Sequence, residues 1–164
     1  MGMATFFVPV AAQQLEELRR DPDAVEDALF ADEDSDAEGT FDVDKAWHGL
    51  HYLLTGTSDG GEAPLSWAIF GDEELGADLG MGGSSFLTPA QVREVAAALA
   101  GLTEEELRRR FDPAQMQALN IYPDVIWTRD GKDALDYVMA HFEPLVRFYA
   151  DTAGRGDGII TYMG

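Results

Sequence analysis

Asp42-Val43-Asp44-Lys45-Ala46-Trp47-His48-Gly49-Leu50-His51-Tyr52-Leu53-Leu54-Thr55-Gly56 packs two of the three histidines and one of the three tryptophans into one short segment. The pattern predicts a helix. Asp44 stands at the N-cap position, and Thr55-Gly56 ends the run with glycine just past the last turn. At roughly 100° per residue, Trp47, Leu50 and Leu54 share a core-facing stripe, and Asp44, His48 and His51 share a polar stripe beside it. A carboxylate and two imidazoles in line resemble a 2-His-1-carboxylate metal set. The spacing argues against that use, because helical zinc histidines stand four apart and these stand three apart. Asp44 is also engaged as a cap on this reading. No metal site and no cofactor are therefore expected. Two uses of the imidazoles remain open. Either one bonds a backbone carbonyl at the core edge while the other is exposed, or they line a pocket as donors or acid–base groups.

Outward from this helix the chain alternates short elements. Residues 4–10, Ala-Thr-Phe-Phe-Val-Pro-Val, are β-branched and aromatic and read as a strand, with Pro9 near its exit. Residues 13–20 read as a short helix carrying Leu15 and Leu18, and Asp21-Pro22 restarts a second with Val25, Leu29 and Phe30. Pro64 opens another holding Leu65, Trp67, Ile69 and Phe70. Residues 71–83 read as irregular and 84–87 as a short strand. Thr88-Pro89-Ala90-Gln91 and Thr103-Glu104-Glu105-Glu106 are capping boxes, and Asp112-Pro113 starts a further helix with Met116 and Leu119 inward. Tyr122-Pro123 and Trp127 form an aromatic turn, and Val125-Ile126-Trp127 reads as loop or brief strand. Residues 133–152 follow the 3.6 period through Leu135, Val138, Met139, Phe142, Leu145 and Tyr149. Pro144 lies inside, so a kink near His141 or two abutting helices are expected. Residues 158–163 read as a C-terminal strand pairing near the first.

A chain of 164 residues with 46% hydrophobic content suits one domain, 1–164, with a real core. It has no cysteine, which excludes disulfides and thiolate chemistry. No run reaches the apolar length of a membrane span, and the first residues lack the basic start of a signal peptide. A cytoplasmic protein is expected. Eleven Lys and Arg face thirty-one Asp and Glu, a net charge of -20. Such a field repels phosphate backbones and anionic membranes, so neither nucleic acid nor membrane is an expected partner. Residues 21–44 carry a run of acids with no base among them. Asp32, Glu33, Asp34 and Asp36 at its centre are the candidate contacts for a basic protein partner. The Thr55–Gly61 stretch lacks the Lys-Ser/Thr of a phosphate loop, and Gly80–Pro89 lacks the Gly-x-Ser-x-Gly of a nucleophile elbow. Arg155-Gly156-Asp157 reads as a turn.

The Asp-Lys-Ala-Trp-His-x-Leu-His-x-Leu-Leu-Thr-Gly core resembles the signature of the YfbM-like family of bacterial proteins. The Met-Gly-Met start, Pro64–Gly71, Leu87-Thr88-Pro89, Ile121-Tyr122-Pro123 with Trp127 and the long last helix extend the likeness over nearly the whole chain. The resemblance implies a three-layer αβα arrangement around a small mixed sheet and no particular activity. It also marks one departure. Gly80–Ser85 reads Gly-Met-Gly-Gly-Ser-Ser, where the family leads one to expect an aromatic and an arginine.

The expected molecule is thus an α/β domain, three-layered, with about seven helices over a small mixed sheet. Its candidate ligand pocket lies among Asp44, Lys45, Trp47, His48, His51, Tyr122 and Trp127, facing the Gly80–Ser85 loop. The function expected first is a non-enzymatic binding or regulatory module with an acidic surface. The alternatives are a small-molecule enzyme using His48 or His51 as acid–base group, and a structural subunit of a larger assembly.

Overall fold

The computed structural model describes residues 2–30, 37–79 and 83–164. Five strands, β1 (Thr5–Val10), β2 (Phe41–Asp42), β3 (Glu73–Asp78), β4 (Gly83–Leu87) and β5 (Gly158–Met163), form one sheet in the order β2-β1-β5-β4-β3. The α/β class stands, but the expected mixed sheet is antiparallel at every pairing. Strands β3 and β4 follow each other too closely for the crossover a parallel pair needs. The two terminal strands pair as expected, with Phe7 opposite Thr161 and Val8 opposite Ile160.

Side chains alternate across this sheet. Phe7, Leu87 and Ile159 enter the larger core, while Val8, Val10, Phe86, Ile160 and Tyr162 enter the smaller one. The smaller core is closed by a thin layer of α1 (Ala12–Arg20), a 3-10 turn (Pro22–Ala24) and α2 (Val25–Leu29), through Leu15, Leu18, Val25 and Leu29. A Cβ on Gly158 would sit 2.7 Å from both the Leu15 side chain and the Leu87 carbonyl, so only glycine lets β5 pass beneath α1.

The other face carries a thick layer. It comprises α3 (Trp47–Thr55), α4 (Trp67–Phe70), α5 (Pro89–Ala100), α6 (Glu104–Arg109), α7 (Pro113–Ala118), α8 (Ile126–Asp130), α9 (Lys132–Met139) and α10 (Phe142–Arg155). The described residues thus hold ten helices where about seven were expected, because the segments are shorter. Thr88, Thr103 and Asp112 each accept from the backbone N–H three residues on, as their caps predicted. The long final helix divides at His141. Pro144 then falls in the first turn of α10, where its missing N–H has no bond to lose. Val125-Ile126-Trp127 opens α8 and is not a strand, and Leu119 is exposed rather than inward. Residues read as irregular contain β3. Among the described residues, no helix is long and apolar enough to cross a membrane.

Candidate functional site

Helix α3 lies in the centre of the thick layer, and all of its residues from Gly49 to Leu54 are buried. Its entry differs from the sequence expectation. Asp44 is not the N-cap: it adopts φ 49 in a 3-10 turn, Asp44–Ala46, that precedes the helix. The Asp42 carboxylate accepts from the Asp44 N–H at 2.9 Å in the turn ahead of it, and neither the 3-10 turn nor α3 carries a side-chain cap. The Asp44 carboxylate turns to α9 instead and accepts from the Tyr137 hydroxyl at 2.7 Å. That bond holds the Asp44 carboxyl below its ordinary range. Burial, with the same bond, pushes the Tyr137 phenol up to about 12. The Lys45 N–H also donates to the Tyr137 hydroxyl, at 3.1 Å. The exit matches expectation, with Gly56 at φ 78 and its N–H on the Tyr52 carbonyl.

The two histidines face away from Asp44. The Tyr122 N–H donates to His48 Nδ1 at 2.7 Å, so that nitrogen is bare. The proton is therefore on Nε2, which donates to the Ser58 carbonyl at 2.8 Å. His51 Nε2 donates to the Gly60 carbonyl at 3.0 Å. Histidines three apart on one helix face thus meet carbonyls two apart on the loop after that helix. Within the loop, the Thr55 hydroxyl donates to the His51 carbonyl at 2.8 Å and accepts from the Thr57 N–H. The Gly60 N–H returns to the Thr57 hydroxyl at 2.9 Å.

Burial lowers both imidazoles from their usual 6.5, His51 to about 4. His51 is fully buried, and its Nδ1 has no hydrogen-bond partner. A proton placed there would have no acceptor, which is the physical reason this ring stays neutral. A 2-His-1-carboxylate centre is not assembled, because the carboxylate and the imidazoles look to different elements.

The aromatic residues of the motif pack on one another. Trp47 stacks on His48 and on Tyr122, with centroids 4.8 and 5.4 Å apart. Its indole N–H donates to the Met3 carbonyl, while the Met3 N–H donates to the Tyr122 hydroxyl, both at 2.9 Å. The chain entering β1 is thereby clamped on both sides of one residue. Trp127 is fully buried and donates to the Ile121 carbonyl at 2.8 Å. Its ring fills the space over Gly49, where a Cβ would lie 2.8 Å from the indole edge.

Asp44, Lys45, Trp47, His48, His51, Tyr122 and Trp127 are therefore brought together, but as interlocking contacts. Of the Gly80–Ser85 loop set against them in the sequence reading, Gly80, Met81 and Gly82 lie outside the described residues. Asp32, Glu33, Asp34 and Asp36 do so as well. Sequence reasoning did not find Met3, Ser58, Gly60, Phe70 and Tyr137 as partners of the motif. Three of these offer main-chain groups, which leave no trace in residue type. Phe70 packs edge-on to Trp47 and 4.5 Å from the His51 ring centre.

The family model described as "Domain of unknown function (DUF1877)" matches residues 1–162. The chain is 30% identical over 172 residues to Protein YfbM of Escherichia coli (strain K12), covering 99% of each. The crystal structure of a protein of unknown function, YfbM from Escherichia coli, superposes with a TM-score of 0.78. That match covers 98% of this chain and 99% of the other at 24% identity, and it establishes the shared fold.

Proposed function

The chain belongs to the DUF1877 family, and we propose that it is a non-enzymatic binding module whose acidic thin layer docks a basic protein surface. The observation that supports this reading is a set of exposed carboxylates that outnumber the cations paired with them among the described residues. Asp21, Asp23, Glu26 and Asp27 are exposed along the 3-10 turn and α2, and Glu73 and Glu74 are exposed on the adjoining edge strand β3. Pro22 packs 3.5 Å from the position of a Cβ on Gly76, so the two acidic segments are neighbours. Arg19 is the ion-pair partner recorded in this layer among the described residues, to Glu16 at 2.8 Å and Glu73 at 3.9 Å. In sequence, Asp32, Glu33, Asp34 and Asp36 continue directly from α2 and extend the same charge. Exposed charge of one sign raises association rates and selects partners of opposite sign more than it adds affinity.

The acid–base reading is less favoured because both Nε2 atoms are engaged by loop carbonyls and both rings resist protonation. The reading as a subunit of an assembly asks for a broad apolar patch. The large hydrophobic side chains exposed among the described residues are Leu119 and Val125.

The test is binding of an oligolysine peptide at low and moderate salt. One variant neutralises the thin layer with D21N, D23N, E26Q and D27N, and a control removes equal charge elsewhere with E94Q, E105Q, D124N and D133N. The proposal expects a loss of about tenfold in the first variant and little in the control. Equal losses would reduce the effect to net charge and end the reading of a particular face.

A further inference from the structure

A separate group of polar side chains lies on the sheet, on the side of the thick layer. Thr5 of β1, Thr161 of β5 and Ser85 of β4 sit on three adjacent strands. Ser85 is directly opposite Thr161, and Thr5 opposite Met163, so all four share one face of the pleat. They line a cleft of about 190 Å³ whose apolar walls include Ile69, Phe70 and Met163. Phe7 and Leu87, on the same face farther along the strands, are fully covered by the core, so the cleft opens where the core ends.

The bonding in this cleft is unusual. The Thr5 side chain is 1% exposed, and its hydroxyl has no hydrogen-bond partner. A buried hydroxyl in that state is costly, and native structures seldom keep one without a reason. Neither the Ser85 nor the Thr161 hydroxyl bonds to protein among the described residues. Three hydroxyls from three strands therefore present unused donors and acceptors to one space. Gly71 passes close above them: a Cβ there would lie 2.9 Å from the Ser85 Cβ and 3.2 Å from the Thr161 hydroxyl. Its φ of +72 favours glycine independently. Both facts keep a side chain out of the cleft.

We propose that this cleft, formed by Thr5, Ser85 and Thr161 beside Phe70, binds a small neutral polyol. The chemistry selects the class. Among the described residues no lining residue is charged, so an ion entering would be desolvated without a partner. Each hydroxyl both donates and accepts, which matches another hydroxyl better than a group that only accepts or only donates. The Phe70 ring and the Ile69 and Met163 side chains suit the C–H face of such a molecule. The volume equals the share of on the order of six waters, which sets the scale at about four or five carbons.

The cleft meets the Trp-His helix at Phe70, whose ring packs against Trp47, His48 and His51. The proposal is independent of the acidic face, whose Asp21, Asp23, Glu26, Asp27 and Glu73 lie on the other side of the sheet; Glu74, opposite Ser85, is on the cleft side but does not line the cleft.

The test is titration of the full chain with erythritol and xylitol, read by amide NMR shifts, with glycerate as a charged probe of similar size. Saturable shifts at Thr5, Gly71, Ser85 and Thr161 are expected from a polyol and not from glycerate. Thr161→Val and Ser85→Ala together should weaken polyol binding about tenfold, the combined effect of two ordinary hydrogen bonds. Each variant is also measured singly, with dispersed amide spectra as the criterion of folding. Shifts that stay linear with polyol concentration, or that persist unchanged without the two hydroxyls, would overturn the proposal and leave the cleft holding water only. Stronger shifts from glycerate would overturn the assignment of a neutral ligand.

Discussion

Two polar groups flank Phe70, and they are built in opposite ways. On one side, the imidazoles, indole and phenol of the α3 motif spend nearly every donor and acceptor on neighbouring backbone. On the other, the hydroxyls of Thr5, Ser85 and Thr161 spend none on the protein among the described residues. The first pattern is architecture: His48, His51 and Trp47 hold the 57–61 loop, the Tyr122 turn and the start of β1 against one helix. The second pattern is an unfilled capacity. The residues that stand out in the sequence are thus the ones least free to meet a ligand, and the residues free to do so are ordinary serines and threonines.

Substitutions separate the two sides by magnitude. Trp127→Ala empties the space over Gly49 and should cost about 3–5 kcal/mol in urea unfolding. A loss near 1 kcal/mol would mean that the α3 contacts do not carry the thick layer. The next effect is a pH dependence. The unfolded His51 pKa is near 6.5 and the folded one about 4, so the unfolded chain binds more protons between those values. The stability from keeping this ring neutral is complete above about pH 6.5 and is lost as pH falls toward about 4. The loss should be about 3 kcal/mol relative to His51→Gln, which removes the titration while both chains share the same carboxylates. Parallel stability profiles for the two proteins would break the contrast. The smallest effect has the opposite sign. Thr5→Val removes the orphaned hydroxyl at constant shape and should raise stability by about 1 kcal/mol. Destabilisation would show that this hydroxyl is bonded after all, and the two sides of Phe70 would no longer differ.

Much of this fold was legible because local chemistry and tertiary position agree. Thr88, Thr103 and Asp112 cap where their sequence neighbours say they should, Gly56 closes α3, and the β-branched termini pair as strands. What escaped has identifiable causes. Strand β3 is an edge strand that buries only Leu75 fully, so it lacks the alternation that marks a half-buried strand. Helix α8 starts behind Val125, which is left-handed at φ 66, a conformation that no β-branched residue announces. Asp44 was read as a cap because the rule is local, and Tyr137 outbid it from ninety-three residues away. The motif residues were found, but their task was not, since their partners are carbonyls and N–H groups. The cleft had no signature at all: its hydroxyls come from three strands that only the sheet order brings together.

The central claim is that the two motif histidines are neutral structural donors. Long-range 1H–15N NMR of the imidazole nitrogens from about pH 3.5 to about pH 8, a range that brackets the reference value, tests it most directly. The account predicts both rings protonated on Nε2 alone at neutral pH, His48 titrating below its usual value, and His51 staying uncharged down to about pH 4. An Nδ1-protonated ring, or a His51 that becomes charged near its usual 6.5, would contradict it and return these residues to acid–base chemistry.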